Sequence, residues 1–205
     1  VDPMCGSGTI LAEAALLAAD VAPGTLRAEH PVTRWLGHDA RAWERVKREA
    51  VERARAGRAS LRSTFVGFDA SDAALASTER AFRDIGLGAN LRLESRPIED
   101  ASCPTGIDAG TLIVNPPYGE RLGTETELAL VYEALGDRLR RGFPGFDAWV
   151  LTSSPVLAKR IGLRAAGGRR VAQRDRLERE VVGVAREHRA VVPGERVEVG
   201  VVGIG

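Results

Sequence analysis

The chain has 205 residues, of which 44% are apolar, and its formal net charge is +1. This length and composition suffice for one domain with a buried core, and the near-zero charge excludes a general attraction to nucleic acid or anionic lipid. No run of 18 apolar residues occurs, so no transmembrane helix is predicted. Cys5 and Cys103 have neither zinc nor disulfide-framework spacing. We therefore expect a cytoplasmic protein that needs no metal ion.

Predicted strands alternate with predicted helices along most of the chain, which favours an α/β fold with a doubly wound, mostly parallel sheet. The opening residues resemble the end of a strand, so we expect this first strand to be truncated. The predicted elements are, in chain order, helices over 8–20 and 40–56, a strand over 63–68, a helix over 71–85, strands over 91–94 and 111–114, a helix over 126–141, a strand over 147–151 and a short helix over 155–161.

The predicted helix over 40–56 has its apolar residues on one stripe, which we expect to face the core. We expect Gly57 to end this helix. The stripe consists of Trp43, Val46, Ala50 and Val51.

The last part of the chain has a different composition. Residues 164–180 are basic and poor in apolar residues, and the final fifteen residues predict two short strands around Pro193-Gly194. We therefore divide the chain into a domain over 1–163 and an atypical basic tail over 164–205, whose structure the sequence leaves open.

A glycine-rich turn separates the opening strand from the first helix, where ligands bind in open α/β sheets. It has the sequence DPMCGSGT, residues 2–9. Gly6 and Gly8 carry no Cβ, so the backbone can approach a ligand closely, and the amides at the helix start favour a negative group. Two glycines alone are equally consistent with a tight turn that binds nothing.

Asp69 ends the second strand, where a carboxylate can accept hydrogen bonds from ribose hydroxyls. The alternative is a helix cap, but Ser71 or Asp72 can fill that role. The distance in sequence from Gly8 to Asp69 is far longer than the roughly 20 residues of a dinucleotide fingerprint, which disfavours a nicotinamide site.

Asn115-Pro116-Pro117-Tyr118 follows a buried strand. The two prolines stiffen the backbone and donate no N–H, which leaves carbonyl acceptors. The Asn115 side chain and the Pro116 carbonyl could accept both N–H groups of a base amine, and Tyr118 could stack on a flipped base. A rigid turn capped by asparagine is the alternative.

Asn115-Pro116-Pro117-Tyr118 resembles the catalytic motif of amino-directed methyltransferases that use S-adenosylmethionine. Taken with the other motifs, the chain resembles guanine-N2 RNA methyltransferases that carry a THUMP RNA-binding domain before the catalytic domain, especially those acting on bacterial large-subunit ribosomal RNA. The resemblance extends from Val1 to about Leu163 and implies a class I, Rossmann-like fold. The motifs are DPMCGSGT, APGTLR, RWLGHDARAW, GFDAS and NPPYGERLG.

The resemblance also implies roles for individual residues. The target guanine is expected at Asn115, Pro116, Pro117 and Tyr118. In place of the family's Gly-Asp pair after the third strand, this sequence has Arg96-Pro97, so Asp100 is the substitute. The residues expected to bind S-adenosylmethionine are Asp2, Pro3, Cys5, Gly6, Ser7, Gly8, Asp69 and Asp100.

The expected reaction is methyl transfer to the N2 amine of a guanine in RNA, with 23S ribosomal RNA as the first candidate. A THUMP domain is absent from these residues, so we expect RNA binding to need such a domain. Glu120 is the nearest candidate for a general base. The alternatives are methylation of guanine N2 in transfer RNA, methylation of adenine N6 in DNA, and a catalytically incomplete domain that only binds S-adenosylmethionine.

Overall fold

The computed structural model describes residues 1–118, 124–163, 167–170, 179–185 and 198–204. Strands and helices alternate through most of this length, which confirms the predicted α/β fold. None of the helices in these ranges is long and apolar enough to cross a membrane. The elements are α1 (Thr9–Ala18), α2 (Ala40–Ser60), β1 (Phe65–Asp69), α3 (Asp72–Asp84), β2 (Leu91–Ser95), β3 (Gly110–Val114), α4 (Glu125–Arg141), β4 (Phe146–Thr152), α5 (Pro155–Arg160), β5 (Gly167–Arg170), β6 (Arg179–Ala185) and β7 (Glu198–Ile204).

The opening residues lie between β1 and β3. The Asp2 amide donates to the Val66 carbonyl at 2.9 Å, and the Phe68 amide donates to the Asp2 carbonyl at 3.0 Å. On the other side, the Ile113 amide donates to the Val1 carbonyl at 2.9 Å. Since β1 pairs with β2 and β3 with β4, both in parallel, the opening segment joins two strand pairs into one parallel arrangement.

Helices cover both faces of this arrangement, as β1 shows. Val66 and Phe68 are fully buried in the core that contains α4, whereas Phe65 packs into the core formed with α1 and α3. Successive side chains of a strand point to opposite faces, and a strand buried on both faces is apolar throughout. The alternation along β1 therefore confirms the doubly wound prediction.

Helix α2 differs from its prediction in two ways. Val46 and Val51 are each 56% exposed, so the expected inward stripe is wrong at these two positions, while Trp43 and Ala50 are half-buried; the buried residue of α2 is Ala54. Gly57 does not end the helix, which continues to Ser60. Gly57 instead lies against α1, because a Cβ on it would stand 1.9 Å from the Ala19 carbonyl oxygen. Only the C-terminal half of α2 thus reaches the core.

Strands from the predicted tail belong to the same sheet as β3 and β4. β6 pairs antiparallel with β4, with Ala148 opposite Val184 and Thr152 opposite Glu180. β5 and β7 pair with β6. β5 and β6 were not predicted, and Pro193-Gly194 lies outside the described residues. The division of the chain at residue 163 stays a prediction.

We predict that Gly57→Ala destabilises the domain although alanine favours helix more than glycine does. The introduced methyl would overlap the Ala19 carbonyl, and overpacking of this kind costs about 1–3 kcal/mol. Ala56→Gly, at the exposed neighbouring position, is the matched control and should cost about 1 kcal/mol by helix propensity alone. The free energy of unfolding in urea measures both. A Gly57→Ala variant that is more stable than the wild type would contradict the close packing of α1 and α2.

Candidate functional site

The glycine-rich turn lies at the carboxyl end of β1. The Cys5 amide donates to the Phe68 carbonyl at 2.9 Å, and the Gly8 amide donates to the Cys5 carbonyl at 2.8 Å. Gly6 and Gly8 adopt φ angles of +55° and +76°, a region that favours glycine. A Cβ on Gly8 would stand 2.5 Å from Thr78, whereas a Cβ on Gly6 would meet no atom within 4 Å. The backbone of Gly6 therefore faces open space that a ligand can enter.

Asp69 connects this turn to the start of α3. One oxygen of its carboxylate accepts a hydrogen bond from the Gly6 amide, and the other accepts one from the Ser71 amide, each at 2.9 Å. Ser71 itself caps α3 by accepting from the Ala74 amide at 3.3 Å. Since each carboxylate oxygen has two lone pairs, Asp69 can still accept hydrogen bonds from a ligand.

Thr78, in α3, contacts the glycine-rich turn, and no sequence motif predicted this contact. Its hydroxyl donates to the Gly6 carbonyl at 3.0 Å and lies 3.8 Å from the Cys5 sulfur. Burial raises the pKa of Cys5 to about 11, so this thiol stays protonated and is not a nucleophile. The one signal for Thr78 in the sequence was its position on the apolar side of the amphipathic helix α3.

Asp2 is the buried acid of the site, with 2% of its surface exposed. Its side chain accepts a hydrogen bond from the Met4 amide at 3.1 Å. Burial raises the pKa of Asp2 to about 7; the hydrogen bond from the Met4 amide opposes this shift, and the charge of Asp69 adds to it. The glycine-rich turn thus begins at a carboxyl group that readily takes up a proton.

The Asn115–Tyr118 stretch begins directly after β3. Asn115 is exposed, Pro116 is buried, and Pro117 and Tyr118 are half-buried. Tyr118 packs against the core that contains Tyr132. Asn115 is therefore exposed in a stiff segment that is held by β3 before it and by the packing of Tyr118 after it.

Two buried residues near Tyr118 were not predicted as part of this region from the sequence. The hydroxyl groups of Tyr132 and Thr152 lie 2.9 Å apart, and Thr152 accepts from the Ser154 amide at 3.2 Å. Burial raises the pKa of Tyr132 to about 12, so this phenol remains neutral. The pair joins α4 to the end of β4 in the core on which Tyr118 packs.

The remaining predicted residues fall into three groups. Pro3 is buried and Ser7 is exposed in the turn, with the Ser7 hydroxyl 3.1 Å from that of Thr9. Asp100 is exposed in a 3-10 turn after β2, and no contact among the described residues links it to the glycine turn. Glu120 lies outside the described residues.

This arrangement suits a ligand that carries ribose hydroxyls and a positive charge. Open space over Gly6 admits the ligand, and Asp69 offers acceptors at the end of β1. Asp2 places a second carboxyl group beneath the same turn. S-adenosylmethionine has both features.

Residues 1–178 match the family of RMKL-like methyltransferase domains. This chain belongs to that family. The family match confirms the resemblance inferred from the motifs and the expectation of a methyltransferase that uses S-adenosylmethionine.

Two curated relatives of this methyltransferase domain are ribosomal RNA large subunit methyltransferases K/L. The protein of Chromohalobacter salexigens is 43% identical over 166 residues, and that of Syntrophotalea carbinolica is 44% identical over 167 residues. Each alignment covers 80% of this chain and 23% of the relative. The chain therefore spans about a quarter of the length of these relatives.

Solved structures share the fold of the methyltransferase domain. A predicted N6-adenine-specific DNA methylase from Listeria monocytogenes is 29% identical with a TM-score of 0.69, covering 82% of this chain and 42% of that protein. SMU.472, described as a methyltransferase and solved as a complex with SAH, is 24% identical with a TM-score of 0.70, covering 99% of this chain and 46% of that protein. The second likeness shows the fold alone.

We predict that Asp2→Asn changes how the stability of the methyltransferase domain depends on pH. The pKa of Asp2 rises from 3.8 to about 7 on folding. Between these values the folded state keeps a proton that the unfolded state loses, so the contribution of Asp2 to stability falls as pH rises from about 4 to 7. Asparagine carries no charge, so the variant lacks this fall, which is worth roughly 4 kcal/mol for three pKa units.

The measurement is urea unfolding of wild type and Asp2→Asn from pH 5 to pH 8. The difference in unfolding free energy should shift in favour of the variant as pH rises, since the other titrating groups cancel in the comparison. Two parallel pH profiles would show that Asp2 has an ordinary pKa in the folded domain.

Proposed function

We propose that this methyltransferase domain transfers a methyl group from S-adenosylmethionine to the exocyclic N2 amine of a guanine in RNA, and that the RNA is large-subunit ribosomal RNA. The observation that carries the proposal is the place of Asn115–Tyr118 at the end of β3, next to the segment that leads into the glycine turn. The ribosomal RNA methyltransferases that are 43% and 44% identical support the choice of RNA.

Hydrogen bonds bring the two halves of the proposed site together. The Val1 amino group donates to the Thr111 carbonyl at 2.8 Å, and the Ile113 amide donates to the Val1 carbonyl at 2.9 Å. Both strands run in the same direction, so the turn after Asp2 and the stretch after Val114 leave the sheet at the same edge. Met4 and Tyr118 pack against one core cluster, which supports a common site.

In this proposal the glycine turn and Asp69 hold the cofactor. The open space beside Gly6 admits the cofactor and the carboxylate of Asp69 binds and orients it, while Asp2, Pro3, Cys5, Ser7 and Gly8 shape the pocket. Asp100 keeps the same assignment, as an exposed acid at the end of β2. When bound, S-adenosylmethionine supplies an electrophilic methyl group on a sulfonium ion.

Asn115 and Pro116 would hold the nucleophile. The lone pair of a guanine N2 is delocalised into the ring, which makes the amine a poor nucleophile. Acceptors at the Asn115 side chain and the Pro116 carbonyl bind both N–H groups and direct the lone pair outward, and Pro117 keeps the segment stiff. Fixed acceptors that interact most strongly as positive charge develops on the amine lower the barrier.

The proposed reaction balances without a metal or a covalent intermediate. The amine nitrogen forms a bond to the methyl carbon as the bond from that carbon to sulfur breaks, and its electrons stay on sulfur as a thioether. The nitrogen then loses one proton to a carboxylate or to water, because the Asn115 and Pro116 oxygens accept hydrogen bonds but are too weakly basic to take the proton. Glu120 is the nearest acid in sequence that could receive this proton.

A second candidate function is methylation of adenine N6 in DNA. It is favoured by the likeness to the Listeria protein, which is named as a DNA methylase and is 29% identical. Transfer RNA is a further candidate substrate, and binding of cofactor without turnover is the outcome expected of an incomplete domain. Methyl incorporation into ribosomal RNA, transfer RNA and duplex DNA, with the modified nucleoside identified by mass spectrometry, separates these candidates.

The substrate RNA would be held mainly by a domain other than this one. The net charge of +1 gives the chain little general attraction for phosphates. We propose that a THUMP-type RNA-binding domain, as in the family that the motifs resemble, supplies most of the RNA affinity. Fusing such a domain to the chain should strengthen RNA binding.

We predict that Asn115→Ala loses most methyl transfer and keeps cofactor affinity. Removing one acceptor that acts mainly in the transition state should lower the rate by about 10²–10³. Asn115 is exposed, so its removal leaves the core intact. The measurements are methyl incorporation into RNA and calorimetric binding of S-adenosylmethionine.

Asp69→Ala is the opposite control for Asn115→Ala. It should weaken cofactor binding by roughly 1.5–3 kcal/mol, the worth of a hydrogen bond to a charged group. It also removes the acceptor of the Gly6 amide, so its folding must be checked by circular dichroism. Wild-type turnover in Asn115→Ala would show that the Asn115–Tyr118 stretch is only a stiff turn. Loss of cofactor binding in that variant would contradict the assignment of Asn115 to the base and Asp69 to the cofactor.

We predict that Tyr118→Ala weakens capture of the flipped base and that Tyr118→Phe is mild. A lost base stack costs about 1–3 kcal/mol, and stacking needs the ring more than the hydroxyl. The half-maximal RNA concentration for methyl transfer measures the effect. Because Tyr118 also packs against the core, thermal unfolding of both variants is the control. Equal half-maximal concentrations for wild type and a folded Tyr118→Ala would remove Tyr118 from the base site.

A further inference from the structure

A surface formed by the segment between α1 and α2 and by the first turns of α2 has no part in the site described above. Two 3-10 turns, Pro23–Leu26 and Pro31–Arg34, lead into α2, and Asp39 caps that helix by accepting from the amides of Arg41 and Ala42. We call this surface the insert surface. It consists of His30, Trp35, Leu36, His38, Trp43 and Lys47.

The insert surface projects away from the core. Ala54 is the buried residue of α2, and the fourteen residue steps from Ala40 to Ala54 span about 21 Å at 1.5 Å per step. The first turns of α2 therefore stand well beyond the part of the helix that contacts α1. Packing of the domain does not require the apolar side chains at this end.

Large apolar side chains are exposed at this end. Trp35 is 68% exposed and Leu36 is 105% exposed relative to a free residue. The Trp35 ring lies over Gly37, where a Cβ would stand 2.9 Å from the ring edge, so the glycine makes room for the ring. Exposed apolar groups gathered in one place mark interaction sites.

A recess lies between the segment that carries Trp35 and the first turns of α2. It has a volume of about 320 Å³, and its lining includes three aromatic rings (His30, His38, Trp43), two cations (Arg34, Lys47) and the two acids that pair with them (Glu29, Glu44). The rings of His30 and Trp43 contact edge to face at 4.8 Å between centroids, and those of His38 and Trp43 at 6.3 Å. These three rings are half-buried, so the recess presents aromatic groups that are already ordered.

Positive charge is concentrated on the same segment. Residues 27–48 hold six lysines and arginines against three acids, a net charge of +3, while the whole chain carries +1. Asp39 is engaged as the helix cap, and the ion pairs of Arg34 with Glu29 and of Lys47 with Glu44 are exposed. Exposed pairs contribute little, so their cations can turn to another anion.

We propose that the insert surface binds an unpaired segment of the substrate RNA, with a base on Trp35 or in the adjoining recess and phosphates on the surrounding cations. Exposed aromatic rings flanked by arginine and lysine are the groups that bind single-stranded RNA by stacking and charge neutralisation. The inference rests on the proposed RNA substrate. It also refines the expectation from net charge, because the local charge differs from that of the whole chain.

Trp35→Ala tests the stacking contact. The probe is a fluorescein-labelled single-stranded RNA of about 20 nucleotides, titrated at about 50 mM salt, where phosphate contacts are strongest. We expect Trp35→Ala to weaken binding at least about five-fold, the lower limit for one lost stack. Leu17→Ala is the matched control, because Leu17 is 81% exposed outside the insert surface, and it should bind as the wild type does.

The double variant Arg34→Ser/Lys47→Ser tests the phosphate contacts, because both side chains line the recess. Each phosphate contact contributes about 0.7 to the slope of log affinity against log salt for a single strand, so the slope should decrease by about 1.4. Arg80→Ser/Arg92→Ser removes two exposed charges elsewhere and should leave the slope unchanged if Arg34 and Lys47 lie in the RNA contact.

Three results would overturn the proposal. They are an absence of RNA binding by the wild type at this salt concentration, equal RNA affinity of wild type and Trp35→Ala, and an altered molar mass of Trp35→Ala in light scattering with unchanged RNA affinity. The third would make the insert surface a protein interface.

Turnover separates this proposal from the proposed function. Trp35→Ala should raise the half-maximal RNA concentration and leave the rate at saturating RNA unchanged. If the wild type methylates no guanine and its RNA affinity still depends on Trp35, the proposed function fails and the RNA-binding surface stands.

Discussion

The hydrogen bonding of the opening dipeptide to two strands is the constraint on which the site depends. Val1 and Asp2 pair with β1 on one side and β3 on the other. Parallel strands in one sheet end at the same edge, so this pairing brings the glycine turn, Asp69 and Asn115 to a common edge. Without it, the groups assigned to the cofactor and to the target base would belong to separate strand pairs.

Asp69 extends this constraint into the loops. Its carboxylate accepts from Gly6 in one loop and from Ser71 at the start of the next helix. Thr78 holds the Gly6 carbonyl from the opposite side, so both polar groups of that glycine are bound while its open side faces solvent. A loop ordered in this way before the ligand arrives loses less conformational freedom on binding.

The rigid sheet edge and the projecting insert suit different tasks. Methyl transfer needs donor and acceptor atoms held close and in line, which a packed parallel sheet provides. The proposed contact with RNA needs reach and exposed groups, and the first half of α2 has both because it leaves the core. Helices α1 and α2 connect the two regions, and α2 contacts the end of α1 at Gly57.

Features set by local rules could be determined from the sequence alone. Backbone geometry and the hydrophobic pattern place three features at strand ends: the two glycines after Asp2, the acid at the end of β1 and the Asn-Pro-Pro-Tyr stretch after β3. The alternation of strands and helices predicted the fold, and the resemblance of these motifs indicated the family. Only the tertiary structure decided that Val46 and Val51 face solvent, that Gly57 contacts α1, that Thr78 supports Gly6 and that Asp2 is buried with a raised pKa. Each of these depends on neighbours distant in the chain, and exposure and pKa are properties of the surroundings that a residue acquires when the chain folds.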